Sequence, residues 1–207
     1  MIQYSVVTTQ PASEPITLKE AKTHLEVIGT SKDTYITSLI TTARRLCEAY
    51  AGLSFVTQTR RVKLDYFPCD KLYIELPYGP VQSITTFSYL NDAAGTTTLT
   101  ADVTYKLDIH SRLARVYKID SSTTEIETWP TNLKDVPHPI TITYVAGYDS
   151  AINETQPEQI KQAILMYLTK YFENRGDTQG KGFDDALPWE CMHILDSIKV
   201  TWNANYE

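Results

Sequence analysis

The chain has 207 residues, 42% hydrophobic and 21% charged, the balance of an ordinary globular domain with a substantial core. Nineteen Lys and Arg stand against 25 Asp and Glu, a formal net charge of -6, so there is no basic excess to neutralise a phosphate backbone and a sequence-specific DNA binder is excluded. No run approaches the ~20 consecutive apolar residues of a membrane helix, and residues 1–10 lack the basic-then-apolar order of a secretory leader, so the expectation is a cytoplasmic protein with no membrane partner.

Residues 15–25 read Pro-Ile-Thr-Leu-Lys-Glu-Ala-Lys-Thr-His-Leu. Thr17 and Glu20 have the spacing of a capping box, and Ile16 stands where a hydrophobic staple begins, which predicts a short helix over 18–27. Asp33 is the expected cap of a second helix. Its apolar residues Ile36, Leu39, Ile40, Ala43, Leu46, Cys47 and Tyr50 recur at offsets of three and four, and Gly52 is the expected C-terminal glycine. From 55 to 148 the composition shifts to Thr, Val, Ile and Tyr, cut by turn signals such as Pro77-Tyr78-Gly79-Pro80 and Asn91-Asp92-Ala93-Ala94-Gly95. Leu72, Ile74 and Leu76 alternate with polar neighbours as a half-buried strand does, and further strands are expected over 81–90, 103–108, 113–117 and 140–145. Short connections make the sheet mostly antiparallel. Helix returns at Pro157, a good first-turn residue. Ile160, Ala163, Ile164, Tyr167, Leu168, Tyr171 and Phe172 form its stripe, and a last helix is expected over 188–200 with Leu187, Cys191, Ile194, Leu195 and Ile198 inward.

The expected fold class is therefore α+β. Two helix pairs, one from each end of the chain, form a four-helix bundle because a lone amphipathic pair cannot bury its stripe, and a mostly antiparallel β subdomain is inserted between them. In residue terms this is one domain over 1–207, helical over 15–52 and 157–200, with the β subdomain at 53–148.

The search for reactive constellations returns mostly negatives. Cys47, Cys69 and Cys191 are an odd set without a CxxC pair and read as free thiols. Asn153-Glu154-Thr155 matches a glycosylation sequon, which carries no chemistry without a leader. The loop Gly176-Asp-Thr-Gln-Gly180-Lys181-Gly182 is short by one residue for a phosphate loop, puts a glycine where the metal-binding hydroxyl belongs, and follows a helix instead of a strand. His24, His110, His138 and His193 are scattered singly, with no spacing that aims two imidazoles at one metal. No Gly-x-Ser-x-Gly elbow occurs, and Ser54 after Gly52 suits a helix-to-strand turn. Asp65 with Asp70, or Glu125 with Glu127, could meet across a sheet as a glycosidase pair, but Trp129, Trp189 and Trp202 are too dispersed to line a sugar groove. Asp184-Asp185 reads as a solvated turn. Arg44-Arg45 and Arg60-Arg61 read as a solvated or ion-paired face, with contact to an acidic partner as the alternative. The expectation is no catalytic residue, no cofactor and no metal. Fourteen tyrosines point weakly to sheet faces and contact surfaces.

The order of segments carries more than any one residue. The 15–25 block, Ile36-Thr-Ser-Leu-Ile-Thr-Thr-Ala-Arg44 with Glu48-Ala-Tyr50-Ala-Gly52, Val56-Thr-Gln-Thr59, Leu64-Asp-Tyr-Phe-Pro68, Leu76-Pro-Tyr-Gly-Pro-Val-Gln-Ser-Ile84, Ile142-Thr-Tyr-Val-Ala-Gly-Tyr148 and Pro157-Glu-Gln-Ile-Lys-Gln-Ala-Ile-Leu165 followed by Tyr171-Phe-Glu-Asn-Arg175 together resemble the tailed-bacteriophage head-tail connector family over roughly 15–200. The resemblance implies a non-enzymatic head-completion adaptor of the virion, made in the host cytoplasm. Such a protein forms a homo-oligomeric ring, typically of twelve copies, beneath the portal protein and receives the tail or stopper protein. DNA would pass through its channel without sequence-specific binding, which suits an acidic chain because like charge repels the phosphates. The resemblance also implies that the C-terminal segment, with Trp202 and Tyr206, reaches the portal. The long stretch over 90–129 departs from compact members of the family. From a different class, the alternative is a stand-alone hydrolase or carbohydrate-binding module built on the β region.

Overall fold

The computed structural model describes residues 2–69, 71–93, 95–111, 113–149, 155–174 and 187–200. Its elements, in chain order, are β1 (Ile2–Thr9), α1 (Leu18–His24), α2 (Asp33–Ala51), β2 (Gln58–Leu64), β3 (Tyr73–Leu76), β4 (Val81–Leu90), β5 (Thr96–Leu99), β6 (Tyr105–Asp108), β7 (Ala114–Lys118), β8 (Ile140–Ala146), α3 (Glu158–Glu173) and α4 (Trp189–Asp196). The fold is α+β, with antiparallel pairing between all the named strands.

The helices form where the sequence has both a stripe and a stop. Thr17 and Glu20 make the expected capping box: the Glu20 N–H donates to Thr17 Oγ1 at 3.2 Å, and the Thr17 N–H donates back to Glu20 Oε2 at 2.6 Å. The Thr17 N–H and, at 2.7 Å, the Thr17 hydroxyl both donate to the Glu20 carboxylate and hold it below its ordinary range. Helix α2 departs from expectation at its start. Lys32 occupies the cap position without a side-chain bond, and Asp33, already in the first turn, takes the Lys22 ammonium at 2.6 Å instead. Its end is as expected: Gly52 is left-handed at φ 67°, and a Cβ there would lie 2.4 Å from the Val200 carbonyl oxygen, so both conformation and space require glycine. Pro157 stands at the α3 cap in extended conformation, one position ahead of the first turn. Helix α4 stops at Asp196 rather than running to 200, because the chain turns there and the Val200 N–H donates to the Ala51 carbonyl at 2.8 Å, tying the end of α4 to the end of α2.

Side chains from both ends of the chain fill one buried cluster, among them Ile16, Ala21, Ile36, Ile40 and Cys47 from the N-terminal side and Ile160, Ile164, Leu168, Cys191 and Leu195 from the C-terminal side. A second cluster lies among the strands. The five-stranded sheet runs β1-β2-β8-β4-β5 and the three-stranded sheet β3-β7-β6. Both face a core in which Phe67 stacks on Trp129 at 4.9 Å, and Phe87 touches Phe67, Tyr105 and Trp129. Burial alternates along β2 and β8, where Val62, Leu64, Ile140, Ile142 and Tyr144 all face inward and are buried. Of the expected row Leu72, Ile74 and Leu76, the last two are buried and Leu72 is not. The strand begins one residue later, and Leu72 is 48% exposed. The five-stranded sheet also draws on chain outside 53–148, because β1 pairs with β2 along one edge.

Candidate assembly surfaces

Two regions of such different build need a joint, and the sequence supplies it with buried charge. Arg44 and Glu48 sit one turn apart on α2, each at most 4% exposed by side chain, and pair at 3.0 Å. Arg44 Nε also donates to Glu14 Oε2 at 2.7 Å, and Thr41 Oγ1 donates to Glu14 Oε1 at 2.9 Å, which anchors the segment leading out of β1. Glu48 Oε1 accepts the Phe55 N–H at 2.8 Å and Gln58 Nε2 at 2.9 Å, which anchors the start of β2. One carboxylate thus joins helix, linker and sheet. Burial pushes the Glu48 carboxyl above its ordinary range, opposed by the Phe55 N–H and the Arg44 charge. Beside it, Arg60 Nε donates to Ser54 Oγ at 3.0 Å, Ser54 Oγ donates to the Tyr78 carbonyl at 2.9 Å, and the Arg60 guanidinium lies 3.8 Å over the Tyr78 ring. Burial lowers the Arg60 pKa.

Arg44 is ion-paired, as the sequence allowed, but neither it nor Arg60 lies on an exposed face. Arg45 is exposed and Arg61 partly so, but Arg44 and Arg60 are buried at the joint, where they serve the fold. The i,i+4 spacing of Arg44 and Glu48 was the available signal. Glu14, thirty positions away, left none.

The other singled-out residues stay apart. His24 Nε2 is 2.9 Å from Thr169 Oγ1, linking α1 to α3, and His138 Nδ1 is 2.9 Å from Asp65 Oδ1. Among the described residues no three His, Cys, Asp or Glu side chains come together as a metal group. Cys47 and Cys191 are buried free thiols, both pushed up chiefly by burial, while Cys69 is exposed. Of the acid pairs weighed for sugar chemistry, Asp65 is held against His138 and Glu127 against Lys118, while Glu125 is exposed. Asp70, the sequon residues Asn153 and Glu154, the loop from Gly176 to Asp185, and both expected portal-contact residues, Trp202 and Tyr206, lie outside the described residues.

The surface shows large apolar groups that the sequence reading passed over. Ile28 is 97% exposed at the tip between α1 and α2, and Trp189 is 65% exposed on the first turn of α4. The Ile28 tip is tied down: Lys22 Nζ donates to the Gly29 carbonyl at 2.5 Å as well as to Asp33, and the Val27 N–H donates to the Lys22 carbonyl at 3.0 Å. A signal existed for both residues. Trp189 falls off the inward stripe of its helix, and Val27-Ile28 sits between a helix end and a glycine. Held out on ordered backbone, such side chains are what contact surfaces use.

Residues 15–84, from α1 to the start of β4, match the family model described as Phage gp6-like head-tail connector protein. Over that stretch the chain is similar to head-tail connector proteins. That family is one of structural connector proteins rather than enzymes, which tells against the hydrolase or sugar-binding alternative. Solved structures match along the whole length. The "Neck of empty GTA particle computed with C6 symmetry" shares 16% identity at a TM-score of 0.71, covering 99% of this chain and 100% of its own. The "Virion of native gene transfer agent (GTA) particle" gives 18% and 0.67, covering 98% and 99%. The "Neck of native GTA particle computed with C12 symmetry" gives 18% and 0.61, covering 100% of both. At such identities the likeness is one of fold. No curated protein sequence matches the chain.

Proposed function

We propose that this connector works as a head-completion adaptor: a homo-oligomeric ring, twelve copies in the full assembly, set beneath the portal protein and joining the DNA-filled capsid to the tail or stopper protein. The observation that carries the reading is the end-to-end fold match with neck structures computed under cyclic symmetry, together with the connector-family match at 15–84. The four helices act as one bundle, and the 53–148 region, with β1 added along one edge, acts as the β subdomain. A net charge of -6 suits a channel through which DNA slides without being held.

The C-terminal segment, with Trp202 and Tyr206, is the portal contact in this reading. It follows Val200, which is anchored on Ala51, and it offers two large aromatics of the kind that dominate interface energy. The test is a pull-down on portal protein with and without residues 202–207. Truncation should leave the melting temperature within about 2 °C and abolish portal binding. Retained binding would move the contact elsewhere, with Trp189 the next candidate. Electron microscopy of the portal mixed with full-length protein tests the ring itself.

A further inference from the structure

The two edges of the five-stranded sheet share an uncommon property. Edge strands are usually blunted with charge or proline, because their outward N–H and C=O groups invite another strand. Here β1 reads Ile-Gln-Tyr-Ser-Val-Val-Thr-Thr and β5 reads Thr-Thr-Thr-Leu, with no charge and no proline in either, although the whole chain is 21% charged.

The ladder says which backbone groups face out. The Leu90 N–H donates to the Pro139 carbonyl on the β8 side, and the Asn91 N–H donates to the Gly95 carbonyl on the β5 side. Alternation then turns Thr97, opposite Tyr89, and Leu99, opposite Phe87, toward β4, and leaves the N–H and C=O of Thr96 and Thr98 pointing away from the sheet. Both residues are exposed. Carried across β8 and β2, the same alternation turns Tyr4 and Val6 toward β2 and leaves Ser5 and Val7 outward. Between its two register shifts β1 is regular over 4–7, the same length as β5.

Because every neighbour in the sheet is antiparallel, β1, β8 and β5 run in one direction, and β1 and β5 lie at opposite sides of the molecule's sheet. Two different, mutually complementary edges on opposite sides make a head-to-tail contact, the type that closes into rings instead of stopping at a dimer. We infer that β5 of one copy pairs in parallel with β1 of the next, through the outward groups of Thr96 and Thr98 and of Ser5 and Val7, so that the five-stranded sheet continues from subunit to subunit. The partner is a second copy of this chain, and the contact rests on the ring reading above.

Amide hydrogen exchange on the wild-type protein, free and assembled on portal protein, tests it directly. The Thr96, Thr98, Ser5 and Val7 amides should slow at least tenfold on assembly, whereas Thr97, Leu99, Tyr4 and Val6 are already slow in the free protein. The companion variant is Thr98→Pro, which removes an outward N–H and leaves the β4 ladder intact, with Thr98→Ala as the control that keeps it. Thr98→Pro should keep its melting transition and fail to close rings, and Thr98→Ala should assemble normally. Rings from wild type in which Thr98 stays fast, rings from Thr98→Pro, or protection of β1 alone, as by a strand from another protein or by β1 pairing with itself, would each overturn the edge contact while leaving the ring reading standing. Absence of any wild-type ring on the portal would overturn both.

Discussion

The helical core and the sheet core are built by opposite means from different kinds of side chain. The helical cluster is mainly aliphatic, with Phe55 and Tyr167 as its buried rings, and gathers segments from the two ends of the chain, with Ile36, Ile40, Ile160 and Ile164 fully or nearly fully buried. The sheet cluster is centred on aromatic rings, Phe67, Phe87 and Trp129 in mutual contact, all drawn from the middle of the chain. A helix presents one narrow stripe and needs partners to cover it, whereas two facing sheets enclose their own core. Between these regions the protein places charge, the Glu14-Arg44-Glu48 network, where both sides must be fixed in relative position.

Breaking that joint should give the largest effect. Glu48→Ala removes one of the two carboxylates paired with the buried Arg44 guanidinium, leaving Glu14 as the other, and takes the acceptor from the Phe55 N–H, at a cost of about 3 kcal/mol, and thermal melts should show the loss in both regions because the carboxylate binds to both. A variant that melts as wild type would show the network to be dispensable. Next comes a lesion confined to one core. Ile164→Asp buries a lone carboxylate in the helical cluster and should cost on the order of 3 kcal/mol; if the melting temperature moves by less than about 2 °C, the α3 stripe does not carry that core.

Smaller and more local is the cap of α1. Thr17→Ala should cost about 1 kcal/mol and speed amide exchange within α1, with little change in the strands. The same cap has a pH signature. Glu20 has a lowered pKa in the folded protein, so its contribution is present above the ordinary Glu range and is lost as pH falls through the folded value. Acid titration of wild type should therefore fray α1 early, and Glu20→Gln should flatten that part of the profile. An α1 that exchanges no faster at pH 3 than at pH 6, after correction for intrinsic rates, would argue against the cap.

How much of this could be read from the chain follows the same division. Where one residue's neighbours in sequence decide its state, the reading held: the Thr17 and Glu20 box, the Gly52 stop, the α3 stripe and the full extent of β4 at 81–90. Where a distant segment decides, it did not. β1 passed unnoticed because its partner is some fifty residues on and two register shifts interrupt its alternation. β5 is four residues of weak pattern. Helix α4 stops early because Ala51, far away in the chain, offers a carbonyl to Val200. The burial of Arg44 went unread because its pairing with Glu48 is equally at home on a surface, and only the folded chain brings Glu14 to it.

The anchoring of Val200 on Ala51 also sets a schedule for synthesis. Helices α1 and α2 leave the ribosome roughly a hundred residues before α3, which at ~5–20 residues per second is on the order of 5–20 s. Throughout that interval the inward row of Ile36, Ile40, Ala43 and Cys47 has no mate, while the strands, whose core is drawn from consecutive chain, can assemble as they appear. The later-made helices are thus the ones that close over the earlier pair, and a chain cut short before α3 would keep a finished sheet beside an open helical face that chaperones can recognise.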